Sequence, residues 1–296
     1  MKYEHYFYVT RREKVDSFLH SNNIAYKEYI PKIDIVPVRI EFTLWSDKED
    51  TAHLLHELET RNIRPTRVSA RFTEAEREAT PWLRLHPKSQ SIEIVNEDDA
   101  YEYSCTWHNY LGELCAHHEE QKNLIAIARE PSANSRNSFW TEATGFSVLF
   151  CSKKVFDAVN SGPFEGIDFW NVLKRKGNVC ENVIQMRSKT ILGRECIELG
   201  HGEKVISCPM CGKTQFYNES DYIMHMNFDM IPPENDFYET ERIFSQGIGQ
   251  PRFIISQRLY RFLRDNKMTG GTKIEPIFTG DTGTVLLSPF LKQNKV

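Results

Sequence analysis

The residues with the clearest chemistry are Cys208 and Cys211, in the stretch Cys208-Pro-Met-Cys211-Gly212. Two thiols at this spacing, closed by a glycine, make half of a structural zinc site, because zinc takes four ligands in a tetrahedron and one knuckle supplies two. Cys105-Thr-Trp-His108 sets a thiol and an imidazole at the same spacing earlier in the chain. Cys105, His108, Cys208 and Cys211 together form a Cys₃His set. Such a set closes the tetrahedron, so its zinc stabilises the fold and leaves no coordination position for water. Other assignments stay open. Cys196 and His201 precede the second knuckle and would complete a local ribbon with Cys208 and Cys211. Cys115, His117 and His118 follow the first knuckle and compete for its place. A metal-free chain would bury its cysteines as small hydrophobes.

Other reactive groups are sparse. The chain contains no G-x-S-x-G elbow, no Walker loop and no H-E-x-x-H pair. His117-His118-Glu119-Glu120 is dense in titratable groups, and an enzyme with a site at the junction of two domains would use His117, His118 and Glu119 first. The plainer account is a solvated helical face or loop. Cys115 has no nameable base or oxyanion donor to make it a nucleophile. His201 lies in a Gly-His-Gly turn, Asp281-Thr-Gly283 reads as a turn, and His53 and His56 sit on one helix as surface histidines.

The elements that position the knuckles begin with a repeat. Val148–Val172 and Phe253–Ile277 each start as an apolar strand ending in serine, Ser152 or Ser256, placed to cap an amphipathic helix. Each helix stops at a glycine, Gly166 or Gly270, before a β-like stretch. The offset is 104 residues, with one residue inserted after the glycine. The same offset carried upstream from Cys208 lands beside Cys105. Agreement of knuckle, strand, serine and helix favours a duplication over two unrelated strand–Ser–helix units. The two halves, about 100–175 and 203–280, would bring their knuckles together about a pseudo-twofold axis.

The first 72 residues read differently. Tyr3–Val9, Ala25–Ile30, Val36–Leu44 and Thr66–Phe72 are strand-like. Capping-box sequences at Thr10-Arg-Arg-Glu13 and Ser46-Asp-Lys-Glu49 open two helices between them. The order β-α-β-β-α-β predicts a ferredoxin-like domain over 1–72. A third capping box, Thr73-Glu-Ala-Glu76, starts a short helix ending near Pro87, with Trp82 and Leu83 as its tether. The fold class is therefore α+β: a ferredoxin-like domain, then an internally duplicated domain over 73–296 with a zinc-ribbon-like knuckle in each half.

Composition narrows the function. The chain is 40% hydrophobic and 26% charged, which is ordinary for a folded protein. No apolar run approaches a membrane span and the N-terminal stretch has no signal-peptide core, so the expectation is a cytoplasmic chain with reduced thiols and no membrane association. A net charge of −4 argues against nucleic-acid binding, which is driven by basic surfaces. Basic residues do gather at Lys153-Lys154, Lys174-Arg-Lys176 and Arg252–Arg264. On the last helix Arg258, Arg261 and Arg264 share one face. The acidic balance suits capture of a basic protein partner. Asn96–Asp99, Glu119-Glu120 and Glu234–Glu241 are the acidic stretches, and the last mixes acids with Phe237 and Tyr238 as an interface would.

The knuckles and the strand–Ser–helix segments after them resemble the double-CXXCG-motif proteins of bacteria, some of which are identified as immunity proteins that protect a cell from a toxin delivered by its kin. Cys208-Pro-Met-Cys211-Gly212 carries the second motif intact. Cys105-Thr-Trp-His108-Asn109 corresponds to the first, with His for the second Cys and Asn for Gly. The resemblance spans about residues 73–290 and leaves the N-terminal domain outside it. It implies a structural zinc and a protein partner, a toxin among the candidates, rather than an enzyme.

Overall fold

A computed structural model describes residues 2–30, 38–63, 65–88, 90–103, 119–142, 148–198, 204–207, 209–210, 214–217, 224–241 and 251–279. The described chain is mixed α and β, with short helices set among many strands. Among the described residues no helix is long and apolar enough to cross a membrane. Two compact units organise it, the first within residues 1–76 and the second from Arg77 onward.

The first unit runs β1 (Lys2–Thr10), α1 (Glu13–Ser21), β2 (Lys27–Tyr29), β3 (Arg39–Trp45), α2 (Thr51–Thr60) and β4 (Arg67–Arg71). Its sheet has the order β2-β3-β1-β4, with every neighbouring pair antiparallel. Alternation decides the faces, since successive side chains of a strand point opposite ways. Phe7, Ile40, Phe42 and Leu44 turn inward against Val15, Phe18, Leu19, Leu55 and Leu58 of the two helices. Phe7 stacks on Phe42 with ring centroids 4.5 Å apart.

Two of the three expected capping boxes are not used. β1 continues to Thr10, so α1 starts at Glu13 with Arg12 at its cap and no side-chain cap bond. The Ser46 hydroxyl instead accepts from the Tyr3 amide at 2.7 Å, and α2 begins at Thr51. In both places a strand pairing takes the residues that a local cap would need. The third box forms: the Thr73 amide donates to the Glu76 carboxylate at 2.7 Å and the Glu76 amide to the Thr73 hydroxyl at 3.3 Å. Its helix, α3 (Glu74–Glu78), is short and does not reach Pro87. Trp82 and Leu83 belong to a strand, because both faces of that stretch are buried.

The second unit pairs its strands in one pattern twice. The first run is β5 (Trp82–Pro87), β6 (Gln90–Ile92), α4 (Glu97–Ala100), β7 (Tyr101–Tyr103), β8 (Glu119–Gln121), β9 (Ala126–Ile127), β10 (Phe139–Glu142), β11 (Leu149–Ser152), α5 (Lys153–Asn160) and β12 (Ile167–Lys174). The second is β13 (Val179–Ser188), β14 (Ile191–Leu192), β15 (Ile197–Glu198), β16 (Lys204–Ser207), β17 (Thr214–Tyr217), β18 (His225–Met226), β19 (Phe237–Thr240), β20 (Phe253–Ser256), α6 (Gln257–Asp265) and β21 (Thr272–Pro276). One sheet has the order β6-β10-β11-β13-β12-β9 and the other β14-β19-β20-β5-β21. Each sheet therefore takes its central strand from the other run. β13 lies between β11 and β12, and β5 lies between β20 and β21.

The registers match residue by residue. Ser152 faces Val183 in one sheet, and Ser256 faces Trp82 in the other. Ile167 faces Ser188, and Thr272 faces Pro87. β6 runs parallel to β10 as β14 does to β19. Even the marginal contacts recur, with Ala126 beside Leu173 and His225 beside Phe278, both parallel.

Both runs share one core. Leu83 and Leu85 of β5, Leu149 and Cys151 of β11, Ile184 and Met186 of β13 and Ile255 of β20 close over Val155, Val159, Leu259 and Leu263 of the two helices. The opposite faces carry matching clusters. Trp140, Phe150, Val172 and Val183 pack with Ile94 and Ile127 on one sheet; Tyr238, Ile254, Ile277 and Trp82 pack with Ile197 and Met226 on the other.

Candidate metal centre

Each knuckle sequence is carried on an antiparallel hairpin. β16 and β17 pair from Lys204 with Tyr217 to Ser207 with Thr214, so the ladder closes just before Cys208 and reopens just after Lys213. Pro209 and Met210 form the exposed turn at the tip. β7 and β8 pair from Tyr101 with Gln121 to Tyr103 with Glu119, and their connection contains Cys105, His108, Cys115, His117 and His118. The two hairpins occupy corresponding places in the two runs. One is inserted between Ile94 and Ile127, which face each other in an antiparallel bridge; the other lies between Ile197 and Met226, which do the same.

Cys105, His108, Cys208 and Cys211 themselves lie outside the described residues, as do Cys115, His117, His118, His201 and Asp281. Glu119 is known only as a backbone position in β8. As a donor set, three thiolates and one imidazole fit tetrahedral zinc. Among the described residues no group of three or more His, Cys, Asp or Glu is gathered as a metal site. His53 and His56 are exposed on α2.

The remaining cysteines are core residues. Cys151, Cys180 and Cys196 are unpaired and buried, one in each of the second unit's three apolar clusters. Burial raises the thiol pKa of each, that of Cys180 to about 11. The Cys196 thiol donates to the Met230 carbonyl at 3.4 Å.

What joins the two runs, and so the two hairpin stems, is a pair of equivalent seams. The Asp236 amide donates to the Glu165 carbonyl at 2.9 Å, and the Ser138 amide to the Gly270 carbonyl at 2.9 Å. Gly166 and Gly271 both have positive φ, +78° and +68°. A Cβ on Gly166 would strike Asn235, and one on Gly271 would strike Asn137. The counterpart of Gly166 is thus Gly271 rather than Gly270, so the inserted residue precedes the glycine. The sequence signal for this seam is Asn137-Ser-Phe-Trp against Asn235-Asp-Phe-Tyr, which the strand–Ser–helix comparison misses because the loop after it is longer in the second run.

Electrostatics at the second seam corrects the acidic-interface expectation for Glu234–Glu241. Phe237 and Tyr238 are fully buried, and Asp236 is 2% exposed. The Asp236 carboxylate accepts from Ser256 Oγ at 2.6 Å, the Glu165 amide at 3.0 Å and Arg258 Nε at 3.0 Å, with a second Arg258 contact through Nη2. Burial raises its pKa, but the Arg258, Ser256 and Glu165 donors outweigh that, and the net value is lowered. Phe237–Thr240 form a core strand, and the acids Asp236 and Glu239 are bonded internally, Glu239 accepting from the Ser188 amide at 2.9 Å. The arginine row is paired as well. Arg261 and Arg264 both reach Glu78, whose carboxyl those hydrogen bonds hold below its ordinary value. A face neutralised this way offers phosphate little.

Compared with known proteins, the chain matches no family model and resembles no curated protein.

Proposed function

We propose that this chain is a zinc-stabilised bacterial binding protein of the immunity or antitoxin kind, acting in the cytoplasm by contact with a protein partner, a toxin. In this reading residues 1–72 form a ferredoxin-like domain, a view supported by the strand order β2-β3-β1-β4 with antiparallel neighbours. The rest is an internally duplicated α+β domain with one knuckle per half, supported by the doubled pattern of pairings. Cys105, His108, Cys208 and Cys211 hold one zinc between the halves. The observation that carries the reading is that two hairpins at corresponding positions, β7–β8 and β16–β17, carry Cys105-x-x-His108 and Cys208-x-x-Cys211 on their connections.

Metal analysis tests the zinc. Cys105→Ser and Cys208→Ser should each lose the same single zinc and much of their stability. Loss in Cys208→Ser alone would favour the ribbon through Cys196 and His201. The function is tested by producing the product of the flanking gene in the host. It should be toxic alone, harmless beside this chain, and bound to it on purification. A flanking product that is toxic and stays toxic beside this chain would count against an immunity role.

A further inference from the structure

The net charge of −4 is an average, and it conceals one face of the first unit. One side of the β2-β3-β1-β4 sheet packs on the helices. The register sets Tyr6 and Tyr8 of β1, Tyr29 of β2 and Trp45 of β3 on the other side, so the aromatic residues lie mainly on the two central strands. Tyr6, Tyr8 and Trp45 are half-buried and Tyr29 is exposed. Lys27 and Arg39 lie on the same face. Each sits on a ring: Lys27 Nζ is 4.9 Å from the Tyr29 centroid, and the Arg39 guanidinium is 5.1 Å from that of Tyr8. Lys2 Nζ is 4.9 Å from the Trp45 ring.

The carboxylates of this face are already engaged. Glu4 pairs with Arg71 at 2.6 Å, Asp47 with Lys2 at 3.3 Å, and Glu41 accepts the Tyr29 hydroxyl at 2.5 Å. Lys27 and Arg39 form no ion pair among the described residues. The face therefore presents rings with exposed cations set against them; Glu4 and Asp47 are ion-paired, and Glu41, directly across the ladder from Lys27, accepts the Tyr29 hydroxyl.

We infer that this face binds single-stranded nucleic acid, stacking bases on Tyr8 and Trp45 and meeting phosphates with Lys27 and Arg39. Magnitudes favour the exchange. An exposed cation on a ring is held by only about two- to fivefold. A base stacked on an aromatic side chain gains about fivefold to a hundredfold. The base takes the ring, and the displaced cation turns to the adjacent phosphate. A duplex keeps its bases stacked on one another and gains only the charge contacts. The inference is independent of the zinc and of any toxin.

Fluorescence anisotropy of the full chain with labelled ~12-nucleotide dT and U strands tests it, with a duplex of equal length as control. Both strands should bind at ~50 mM salt and weaken about five- to twentyfold by ~200 mM, as release of a few counterions requires. Tyr8→Ala and Trp45→Ala should each weaken binding about fivefold or more, whereas Tyr8→Phe should retain it. The exposed pair Lys27→Ala and Arg39→Ala should flatten the salt dependence without changing the melting temperature. Any one of four outcomes overturns the inference: no binding to either strand, equal binding to the duplex, binding that survives loss of both rings in a folded variant, or equally tight binding of polyglutamate. The last would make the face a charge-driven dock for an acidic protein.

Discussion

Arg258→Met should destabilise the second unit by about 2 kcal/mol, which is less than the roughly 3–5 kcal/mol for breaking a fully buried pair. The reason is asymmetric burial: the Asp236 side chain is 3% exposed, but that of Arg258 is 56% exposed, so water screens part of the attraction. Methionine keeps the apolar stem beside Phe164 and removes the charge together with its two donors to Asp236. Asp236→Asn should cost a similar amount, because its amide must meet the Glu165 N–H with one acceptor fewer. Once the acid is gone, Arg258 has little left to stabilise. The double variant should therefore lose about 1 kcal/mol less than the sum of the two singles. Calorimetry reads each single as a fall of about 4–8 °C for a domain of this size. The pH dependence gives a second readout. The folded pKa of Asp236 is depressed below the ordinary 3.8, so the pair's contribution is complete above that value and is lost as pH falls through the folded pKa. The Arg258→Met deficit should then shrink towards zero as pH falls through that folded pKa. Additive singles, or a deficit unchanged in acid, would refute the ion-pair account of this seam.

Three further outcomes follow from the same geometry. Gly166→Ala and Gly271→Ala should each cost about 2–3 kcal/mol, from left-handed backbone strain plus collision with Asn235 or Asn137, whereas Gly177→Ala, with φ +85° and open space around it, should cost only about 1 kcal/mol; equal losses at all three would remove the collision. Cutting the chain after Gly177 should leave the two halves of the second unit without a cooperative transition of their own until they are mixed, since each lacks the central strand of its sheet, while the first unit, complete within the N-terminal fragment, still melts; a cooperative transition of the C-terminal fragment alone would contradict the strand exchange. His5 is 4% exposed, and burial lowers its pKa below 6.5. The neutral ring's stabilisation is complete above pH 6.5 and falls as pH drops towards the folded pKa, so the first unit should weaken in mild acid and His5→Gln should lessen that dependence; an unchanged slope in the variant would assign it elsewhere.

Local chemistry was legible in the sequence. Ser152 and Ser256 cap their helices as expected, accepting from the Val155 and Leu259 amides at 3.3 and 3.0 Å. A cap needs only its own backbone turn, and helix faces need only a period, so both can be read from neighbours in the chain. The elements of the first unit follow for the same reason. The capping boxes at Thr10 and Ser46 mislead because β1 and its partners extend into them, and a ladder bond from a distant strand competes with a cap on equal terms. Glu234–Glu241 misleads because charge in a sequence carries no address: Asp236 looks like surface until Arg258 is folded beside it.

The sequence alone determined that this chain contains two kinds of α+β segment, that strand–serine–helix recurs, and that Cys105-x-x-His108 and Cys208-x-x-Cys211 stand at matching places in the repeat. Only the tertiary structure decided which strand completes which sheet. The sequence reads Trp82–Pro87 as the end of a helix, whereas the fold makes it a strand buried on both faces, and an inward-facing leucine fits either sheet equally well. The choice falls to the core shared by α5 and α6 and to the two glycine–asparagine seams, which close only when each run lends its first strand to the other.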